Sequence, residues 1–381
     1  MKKIVVIGAN SFQNPLILKA KEMGYETHVF AWQDGSIGER TADYFYPISI
    51  VEKEQILAKC RELQPDAVVT IASDLANITV QYLATKLGLP TNSDECIHIS
   101  TNKYAMREAF VKNQVASPGH ACVSADDDLQ EATKGLVFPV IVKPTDRSGS
   151  RGITRVENME SVKAAVEAAV ADSFEKKAII EEYIEGIEYS CECISYQGEH
   201  HVLAVTRKYT TGYPHFIETG HMEPAELSSE MYRKIEAEIP RALEALKIQN
   251  GASHSEFRIN EQGEIRIIEI GSRMGGDCIG SHLVELSAGY DFVKMVIETA
   301  LGERPTLISS REEQCAGIRF IFDNEDIAVL NQIKEEHPSI LQFVSKIDEI
   351  GEHEVVDSSS RFGYYIIAGQ DRKEIRQWLE K

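Results

Sequence analysis

Short apolar runs alternate with stretches of helical spacing from residue 1 to about residue 95. Runs of strand character lie at residues 5–7, 27–30 and 67–71. Helical spacing of apolar positions lies at residues 15–23, 53–63 and 76–87. Because parallel neighbours need a crossover helix, this repetition predicts a parallel sheet of the doubly wound type. We therefore expect a first domain at residues 1–100.

The pattern changes after residue 100. The predicted elements are, in order, a helix at 103–113, a strand at 137–142, a helix at 161–171, a strand at 178–180 and two hairpins with turns at 197–198 and 260–263. A further segment predicts strands at 317–322 and 362–368 and a helix at 372–379. The fold class is therefore α/β followed by α+β, with an α+β domain at residues 101–305 and a small β-rich cap at 306–381.

The glycines of the chain argue against two common nucleotide sites. The turn after the first strand, Gly8 to Gln13, lacks the second and third glycines that a dinucleotide pyrophosphate needs, so NAD binding is disfavoured. A Walker-type phosphate loop is excluded because no glycine in the chain is followed by lysine.

Charge and composition narrow the class of protein. Asp plus Glu number 60 against 40 Lys plus Arg, a net charge of −20 without a long basic run, which disfavours nucleic-acid binding. No apolar stretch approaches the roughly 18 residues of a membrane span. Seven cysteines without a Cys-x-x-Cys pair argue against a disulfide framework or a zinc module. We expect a soluble, cytoplasmic protein.

The hairpin from Ser253 to Arg273 carries the most informative pair of residues. With the turn at 260–263, Glu256 lies opposite Ile267 and diagonal to Glu269, on a face shared with Ile265; a shifted register places the two glutamates directly opposite. Two carboxylates on one face can bind one or two hard cations, and without a cation they would repel. The alternative is two glutamates on a solvated sheet face.

Arg273 follows Glu269 at the end of the same hairpin. An arginine fork beside a magnesium site is suited to hold a transferring phosphoryl group. Gly275 and Gly276 come next and permit close approach of a ligand, although a structural glycine turn explains them equally well.

Two lysines precede this hairpin in the chain. Lys143 ends an apolar strand just before a loop that contains Ser148, Gly149 and Ser150, an arrangement suited to polyphosphate. Lys103 stands in the first turn of a helix, where the macrodipole disfavours a cation unless an anion is near. A solvated lysine is the alternative there.

Glu181 and Glu188 bracket a turn between two strands. Their oxygens could accept hydrogen bonds from a purine amine and from ribose hydroxyls. Charged residues flanking a turn are common, so this pair is informative only together with the others.

Taken in order, these motifs resemble the ATP-grasp superfamily of carboxylate-amine ligases. The resemblance rests on Lys103, on Phe138-Pro-Val-Ile-Val-Lys143-Pro, on Ser148-Gly-Ser-Arg-Gly152, on Glu181-Glu-Tyr-Ile-Glu-Gly-Ile-Glu188, on Glu256 and on Glu269-Ile-Gly-Ser-Arg273. Residues 206–224 and 273–277 look more narrowly like the bacterial amino-acid ligases that make dipeptides. The resemblance implies an ATP-grasp fold with an N-terminal Rossmann-like domain, a central ATP-grasp domain of two subdomains with a lid at about 118–184, and the C-terminal cap.

The same resemblance assigns roles to residues and implies ATP with Mg²⁺ or Mn²⁺ as cofactors. ATP would be held by Lys103, Lys143, Ser148, Gly149, Ser150, Glu181, Tyr183, Ile184 and Glu188. Glu256 and Glu269 would ligate the metal, while Arg273, with Lys143, would act in catalysis. Gly271 stands where the family often has Asn, so a second metal ion would have fewer protein ligands.

The implied reaction phosphorylates a carboxylate with ATP and lets an amine attack the acyl phosphate, with ADP and phosphate released. Both substrates would be small molecules, and amino acids fit best. The candidate substrate residues are Arg207, Glu218, His221, Arg273, Gly276 and Ser281. A homodimer is implied by the resemblance alone.

Two other functions fit parts of the pattern. One is a purine-pathway-like ligase or phosphotransferase acting on a phosphorylated metabolite, which would need a further cluster of cations. The other is an ATP-binding sensor without turnover. The presence of Glu256, Glu269 and Arg273 together argues against the sensor, since binding alone does not need the whole set.

Overall fold

The computed structural model describes residues 1–147, 152–213, 216–310 and 314–381. The first strands are β1 (Lys3–Ile7), β2 (Glu26–Phe30), β3 (Tyr44–Tyr46) and β4 (Ala67–Val69). The helices between and after them are α1 (Asn14–Glu22), α2 (Ile37–Thr41), α3 (Lys53–Leu63) and α4 (Asp74–Leu87). The strands form a parallel sheet in the order β3-β2-β1-β4, which confirms the predicted parallel sheet. Residues 4–7 of β1 are fully buried, as expected of a central strand covered on both faces.

A second four-stranded sheet, called the small sheet below, follows two helices. Helices α5 (Asp94–Thr101) and α6 (Lys103–Lys112) come first, and the Asn102 side chain caps α6 by accepting a hydrogen bond from the Ala105 amide. The sheet contains β5 (His120–Val123), β6 (Val140–Pro144), β7 (Thr154–Val156) and β8 (Ala178–Glu182), with helices α7 (Leu129–Ala132) and α8 (Val162–Asp172). Its order is β5-β8-β6-β7, with every pair antiparallel.

The remaining strands join one antiparallel sheet. They are β9 (Ile187–Tyr196), β10 (Glu199–Thr210), β11 (Glu218–Glu223), β12 (Gly251–Ile259), β13 (Ile265–Gly271), β14 (Cys315–Ile321), β15 (Leu341–Val344) and β16 (Gly363–Gly369). Their order is β13-β12-β9-β10-β11-β14-β16-β15. The strands after residue 305 therefore extend the sheet of the preceding region. The domain boundaries drawn from the sequence stay a prediction.

Five more helices complete the described chain. They are α9 (Ser229–Ala245), α10 (Val284–Ala288), α11 (Phe292–Ala300), α12 (Asn324–Glu336) and α13 (Arg372–Glu380). Within the described ranges, none of the helices combines the length and the apolar character that crossing a membrane requires.

The β9–β10 hairpin confirms a turn read from the sequence. Its two-residue connection consists of Gln197 and Gly198, with φ values of 51° and 81°. Positive φ at both central positions is typical of a tight hairpin turn, and glycine adopts it without steric cost.

The β12–β13 hairpin differs from its predicted register. Glu256 pairs directly with Glu269, whereas Phe257 pairs with Ile267, so Ile268 is an extra residue on β13. Two features account for the difference: the strands close at Ile259 and Ile265, so the connection has five residues instead of the predicted four, and the β-bulge adds one more residue. The extra residue of the bulge reverses the face of every side chain beyond it. Ile267 lies in the hydrophobic core with Ile265 packed against it, so the predicted face shared by the glutamates and these isoleucines was wrong.

Glu223 at the end of β11 joins α10 to the large sheet. Its buried carboxyl accepts hydrogen bonds from Thr206 Oγ1 at 2.7 Å and from Ser287 Oγ at 2.5 Å. Burial raises the pKa of Glu223 from 4.5 to about 7, and the two hydroxyl donors offset only part of this effect.

This pKa predicts a decline of stability with pH. The folded protein holds the Glu223 proton more tightly than the unfolded chain, so the free energy of unfolding falls as pH rises from about 4.5 to about 7. Glu223→Gln is expected to remove this decline and to be more stable than the wild type at pH 8 by roughly 2–3 kcal/mol. Urea unfolding of both proteins at pH 5 and pH 8 measures the difference. Equal pH dependence in the two proteins would contradict the expected cost of ionising Glu223.

Candidate functional site

A cavity of about 290 Å³ lies where the small sheet, the large sheet and the start of α4 meet. The predicted site residues that line it are Lys103, Lys143, Glu181, Tyr183, Ile184, Glu188, Glu218, His221, Glu256, Glu269, Arg273 and Gly276. Among the described residues, Arg207 and Ser281 do not line it. Ser148, Gly149 and Ser150 lie outside the described residues. The fold thus brings together residues from five separate parts of the sequence.

Glu181 and Lys143 meet at one end of the cavity as a buried ion pair. Lys143 Nζ lies 2.7 Å from one carboxylate oxygen of Glu181, and Arg107 Nε lies 2.7 Å from the other. Burial alone would raise the pKa of Glu181, but Arg107 and Lys143 outweigh it and lower that pKa to about 2. Both oxygens of Glu181 therefore face cations.

Glu188 is held by cations from two neighbouring strands. Arg258 Nη2 and Nε donate to one of its oxygens at 3.0 and 3.2 Å. Lys208 Nζ lies 3.2 Å from the other oxygen. Arg258 also donates to the Ile184 carbonyl at 2.8 Å, which ties the turn after β8 to β12.

Glu256 and Glu269 are direct cross-strand partners, and each accepts a hydrogen bond from a lysine. Lys208 Nζ donates to Glu256 at 2.6 Å, and Lys103 Nζ donates to Glu269 at 3.0 Å. Burial would raise the pKa of Glu256, but Lys208 and then His254 outweigh it and hold that pKa well below 4.5. Glu256 is therefore ionised at neutral pH.

These two carboxylates fit a divalent cation that arrives with phosphate. Side chains directly opposite on antiparallel strands have Cβ atoms roughly 4.5–5.5 Å apart. Over the part of the chain that the structure describes, no group of three or more His, Cys, Asp or Glu side chains is arranged to hold a metal ion. Mg²⁺ commonly takes one or two carboxylates and completes its shell with phosphate oxygens and water, which matches a pair of glutamates.

Arg273 is fixed by a carboxylate from the first sheet region. Its Nε and Nη2 donate to the two oxygens of Asp74, each at 2.9 Å. Asp74 is the first residue of α4, so this bidentate pair joins α4 to the end of β13. A Cβ on Gly271 would lie 3.0 Å from Asp74 Oδ1 and 3.2 Å from Arg273 Cζ. Glycine at the usual Asn position thus leaves room for this ion pair.

The loop after Arg273 is docked on a buried carboxylate. The Gly275 amide donates to Glu192 at 2.9 Å, and the other Glu192 oxygen accepts from His254 Nδ1. A Cβ on Gly275 would approach these two side chains to 2.5 and 2.7 Å, so this glycine is needed for close packing. Burial would lower the pKa of His254, but Glu192 and Glu256 outweigh it and raise that pKa to about 9. His254 is therefore a cation that links Glu192 to Glu256.

A second group of charged residues surrounds Asp277 in the cavity wall. Arg361 donates to both oxygens of Asp277 at 2.7 and 3.0 Å. His221 Nε2 lies 3.4 Å from the same carboxylate, and burial lowers the pKa of His221. Glu218 accepts a hydrogen bond from Ser358 Oγ at 2.5 Å. Two carboxylates and a neutral imidazole therefore line this part of the cavity, and Arg361 holds Asp277 in place.

Arg207 and Lys208 show why strand alternation decides which cation faces the cavity. Successive residues of β10 point to opposite faces of the sheet. Lys208 points into the cavity, where it is 4% exposed and surrounded by Glu188, Glu218 and Glu256. Arg207 points the other way, and its Nη1 lies 3.7 Å from Glu380. The structure therefore places Lys208 where the sequence analysis expected Arg207.

Several cavity residues were missed by the sequence analysis. They are Asp74, Arg107, Lys208, His254, Arg258 and Asp277. Arg107 follows Lys103 by one helical turn, a spacing that places both on the same helix face. His254 precedes Glu256 by two residues, which places both on one strand face. These spacings were available in the sequence, whereas the position of Asp74 depends on packing between two sheets.

The central region of the chain matches a family model. Residues 136–281 match the ATP-grasp domain. This segment runs from just before β6 to ten residues beyond the end of β13, and it contains the cavity residues from Ile141 to Ile279.

Two individual relatives are 28% and 26% identical to this chain. The alanine–anticapsin ligase of Bacillus subtilis is 28% identical over 58% of this chain and 51% of its own length. The D-alanine–D-alanine ligase of Cupriavidus necator is 26% identical over 58% of this chain and 71% of its own length. The chain spans about half the length of the first curated relatives that it matches.

The fold as a whole matches a solved structure. The L-amino acid ligase from Bacillus licheniformis has a TM-score of 0.83 at 22% identity, with 100% of this chain and 96% of that chain covered. A likeness at this level concerns the fold. Together with the match of residues 136–281 to the ATP-grasp domain, it shows that this chain has the ATP-grasp fold.

Proposed function

We propose that the protein is an ATP-dependent, ADP-forming ligase that activates a carboxylate as an acyl phosphate and joins it to an amine. The observation that carries the proposal is the convergence of Lys103, Lys143, Arg273 and the Glu256–Glu269 pair in one cavity of an ATP-grasp domain. The named functions of the relatives, an alanine–anticapsin ligase and a D-alanine–D-alanine ligase, support the same class of reaction.

Three lysines are suited to bind the polyphosphate of ATP. Lys103, Lys143 and Lys208 approach the cavity from α6, β6 and β10, and each is paired with a carboxylate in the described structure. Side chains held in place before the ligand arrives lose little further freedom on binding it. Glu181, Tyr183, Ile184 and Glu188 line the same end and are proposed to hold the adenosine.

Glu256 and Glu269 are proposed to hold Mg²⁺ or Mn²⁺. A bound ion would supply charge stabilisation to the phosphate oxygens during transfer. Arg273 lies next to this pair and is fixed by Asp74, so its guanidinium can stabilise charge that develops on the transferred group.

The cavity residues around Asp277 support amino acids as substrates. A carboxylate substrate needs a cation such as Arg273, and an ammonium group needs acceptors such as Asp277 or Glu218. His221, with its lowered pKa, is a neutral group that can accept a proton from an attacking amine. These residues lie beside Gly276, where the absence of a side chain leaves space for a substrate.

We also propose that the protein works in the cytoplasm. All seven cysteines are free thiols, which is typical of proteins in a reducing compartment. The homodimer implied by the family resemblance stays a prediction that sedimentation would test.

The direct test is phosphate release from ATP and Mg²⁺ across a matrix of single amino acids and amino-acid pairs, with products identified by mass spectrometry. A pair that yields ADP, phosphate and a condensed product is the expected result. Product formed only from a phosphorylated metabolite would favour the purine-pathway-like alternative. Tight ATP binding without turnover on any substrate would favour an ATP sensor.

Replacement of one member of the carboxylate pair tests the metal site. Glu269→Gln is expected to lower kcat more than about 100-fold, because loss of even an outer-shell partner costs 10–100-fold in a metal site. Glu264→Gln is the matched control, since Glu264 lies just before β13 with its side chain 59% exposed. Near-UV circular dichroism should be unchanged in both variants. A fully active Glu269→Gln protein would rule out the proposed metal role.

A pair of neighbouring variants tests which cation of β10 acts in the cavity. Lys208→Met is expected to lower kcat/KM for ATP at least about 100-fold, the scale seen when one stabilising donor is removed. Arg207→Met removes a cation from the opposite face of the same strand and should change kcat/KM only a few-fold. Isothermal titration with ADP measures nucleotide affinity without turnover. A larger loss of kcat/KM in Arg207→Met than in Lys208→Met would instead identify Arg207 as the functional residue.

A further inference from the structure

Helix α6 presents two cations, one turn apart, to the edge strand β13. Lys103 Nζ donates to the Glu269 carboxylate at 3.0 Å. Arg107 Nη2 donates to the backbone carbonyl of Ile268, the extra residue of the bulge. The amide of Ile267 donates to the Ala116 carbonyl at 3.0 Å, just beyond α6. The outer edge of β13 is therefore bonded to α6 and its C-terminal loop at the bulge itself.

The bulge determines whether the two glutamates can act together. On the turn side of the bulge, the residue numbers of paired residues on β12 and β13 add up to 524, as for Phe257 and Ile267. If that register continued without a bulge, Glu256 would pair with Ile268, and Glu269 would pair with Ser255 on the opposite face of the sheet. The observed pairing of Glu256 with Glu269 therefore depends on the single extra residue at 268.

Arg107 is placed to stabilise the bulge through its hydrogen bond to the Ile268 carbonyl. Among the described residues, no other side chain donates a hydrogen bond to that carbonyl. Its side chain is only 1% exposed, and its Nε lies 2.7 Å from Glu181, whose other oxygen faces Lys143. The guanidinium thus connects β8 at the proposed nucleotide end with β13 at the carboxylate pair. The two donors of the planar fork are fixed relative to each other and reach both acceptors at once.

We propose that Arg107 is a positioning residue that maintains the β13 bulge and so holds Glu269 opposite Glu256 for a divalent cation. The inference rests on the proposed function in taking Glu256 and Glu269 as the cation site. It adds that Arg107 of α6 maintains the geometry of this site through its contacts with the Ile268 carbonyl and the Glu181 carboxylate.

Mn²⁺ binding tests this role without turnover. Electron paramagnetic resonance titrates Mn²⁺ into the full chain in the presence of saturating ADP. Arg107→Met is expected to weaken Mn²⁺ binding at least about 10-fold, the lower end of the effect of outer-shell partners. Arg107→Lys keeps the positive charge but loses the planar fork, and its Mn²⁺ affinity should lie between those of Arg107→Met and the wild type. In the activity assay, Arg107→Met should require more Mg²⁺ for half-maximal rate and recover part of its kcat when Mg²⁺ is raised.

Arg319→Met is the matched control. Arg319 also bridges a carboxylate and a backbone carbonyl, with donors 2.7 Å from Asp326 and 2.9 Å from Trp378 O, but it lies on β14. Its loss should lower the midpoint of thermal unfolding and leave Mn²⁺ affinity within about 2-fold, which separates positioning from general stability.

The outcomes separate the inference from the proposed function. Wild-type Mn²⁺ affinity in Arg107→Met, with an active wild type, would overturn the role of Arg107 alone. Absence of a Mn²⁺ site in the wild type would overturn the proposed cation site and this role with it. If Arg107→Met does not fold, Arg107→Lys decides: a loss of about 3-fold or more in Mn²⁺ affinity supports the role, and unchanged affinity overturns it.

Discussion

Buried carboxylates stay ionised only where cations lie against them, and the cavity is built on this constraint. Transfer of an unpaired carboxylate from water into a protein interior is costly, and such a group takes up a proton instead. Glu181 is buried, while Glu188, Glu256, Glu269, Asp74 and Asp277 are partly buried, and each of the six faces a lysine or arginine from another element. Glu223 shows the contrast: it has only hydroxyl donors, and its pKa rises to about 7.

These ion pairs also connect the separate sheets of the protein. The Asp74–Arg273 pair joins α4 to the end of β13, and the Lys103–Glu269 pair joins α6 to the same strand. Breaking one partner of a buried pair leaves an uncompensated charge, which is strongly destabilising. The charges that suit the cavity to ATP and a cation therefore also fix how the surrounding elements pack.

The carboxylate pair depends on backbone geometry as well as on charge. The bulge at Ile268 makes two consecutive residues of β13, Ile268 and Glu269, face the cavity. Bulges often lie next to functional sites because they redirect a side chain without changing the fold. Because Arg107 donates a hydrogen bond to the Ile268 carbonyl, a residue of α6 stabilises the bulge in β13.

The sequence by itself determined the parallel sheet, the β9–β10 turn and the types of side chain that line the cavity. Local periodicity and turn residues are sufficient for these features, because they depend on neighbours within a few positions. Lys143, Glu181, Glu256 and Arg273 were identified from their places at strand ends and in one hairpin. Only the tertiary structure decided the register of Glu269, the choice of Lys208 over Arg207 for the cavity, and the pairing of Arg273 with Asp74. These features depend on contacts between elements far apart in the chain, and a bulge of one residue reverses a strand face that periodicity would otherwise fix.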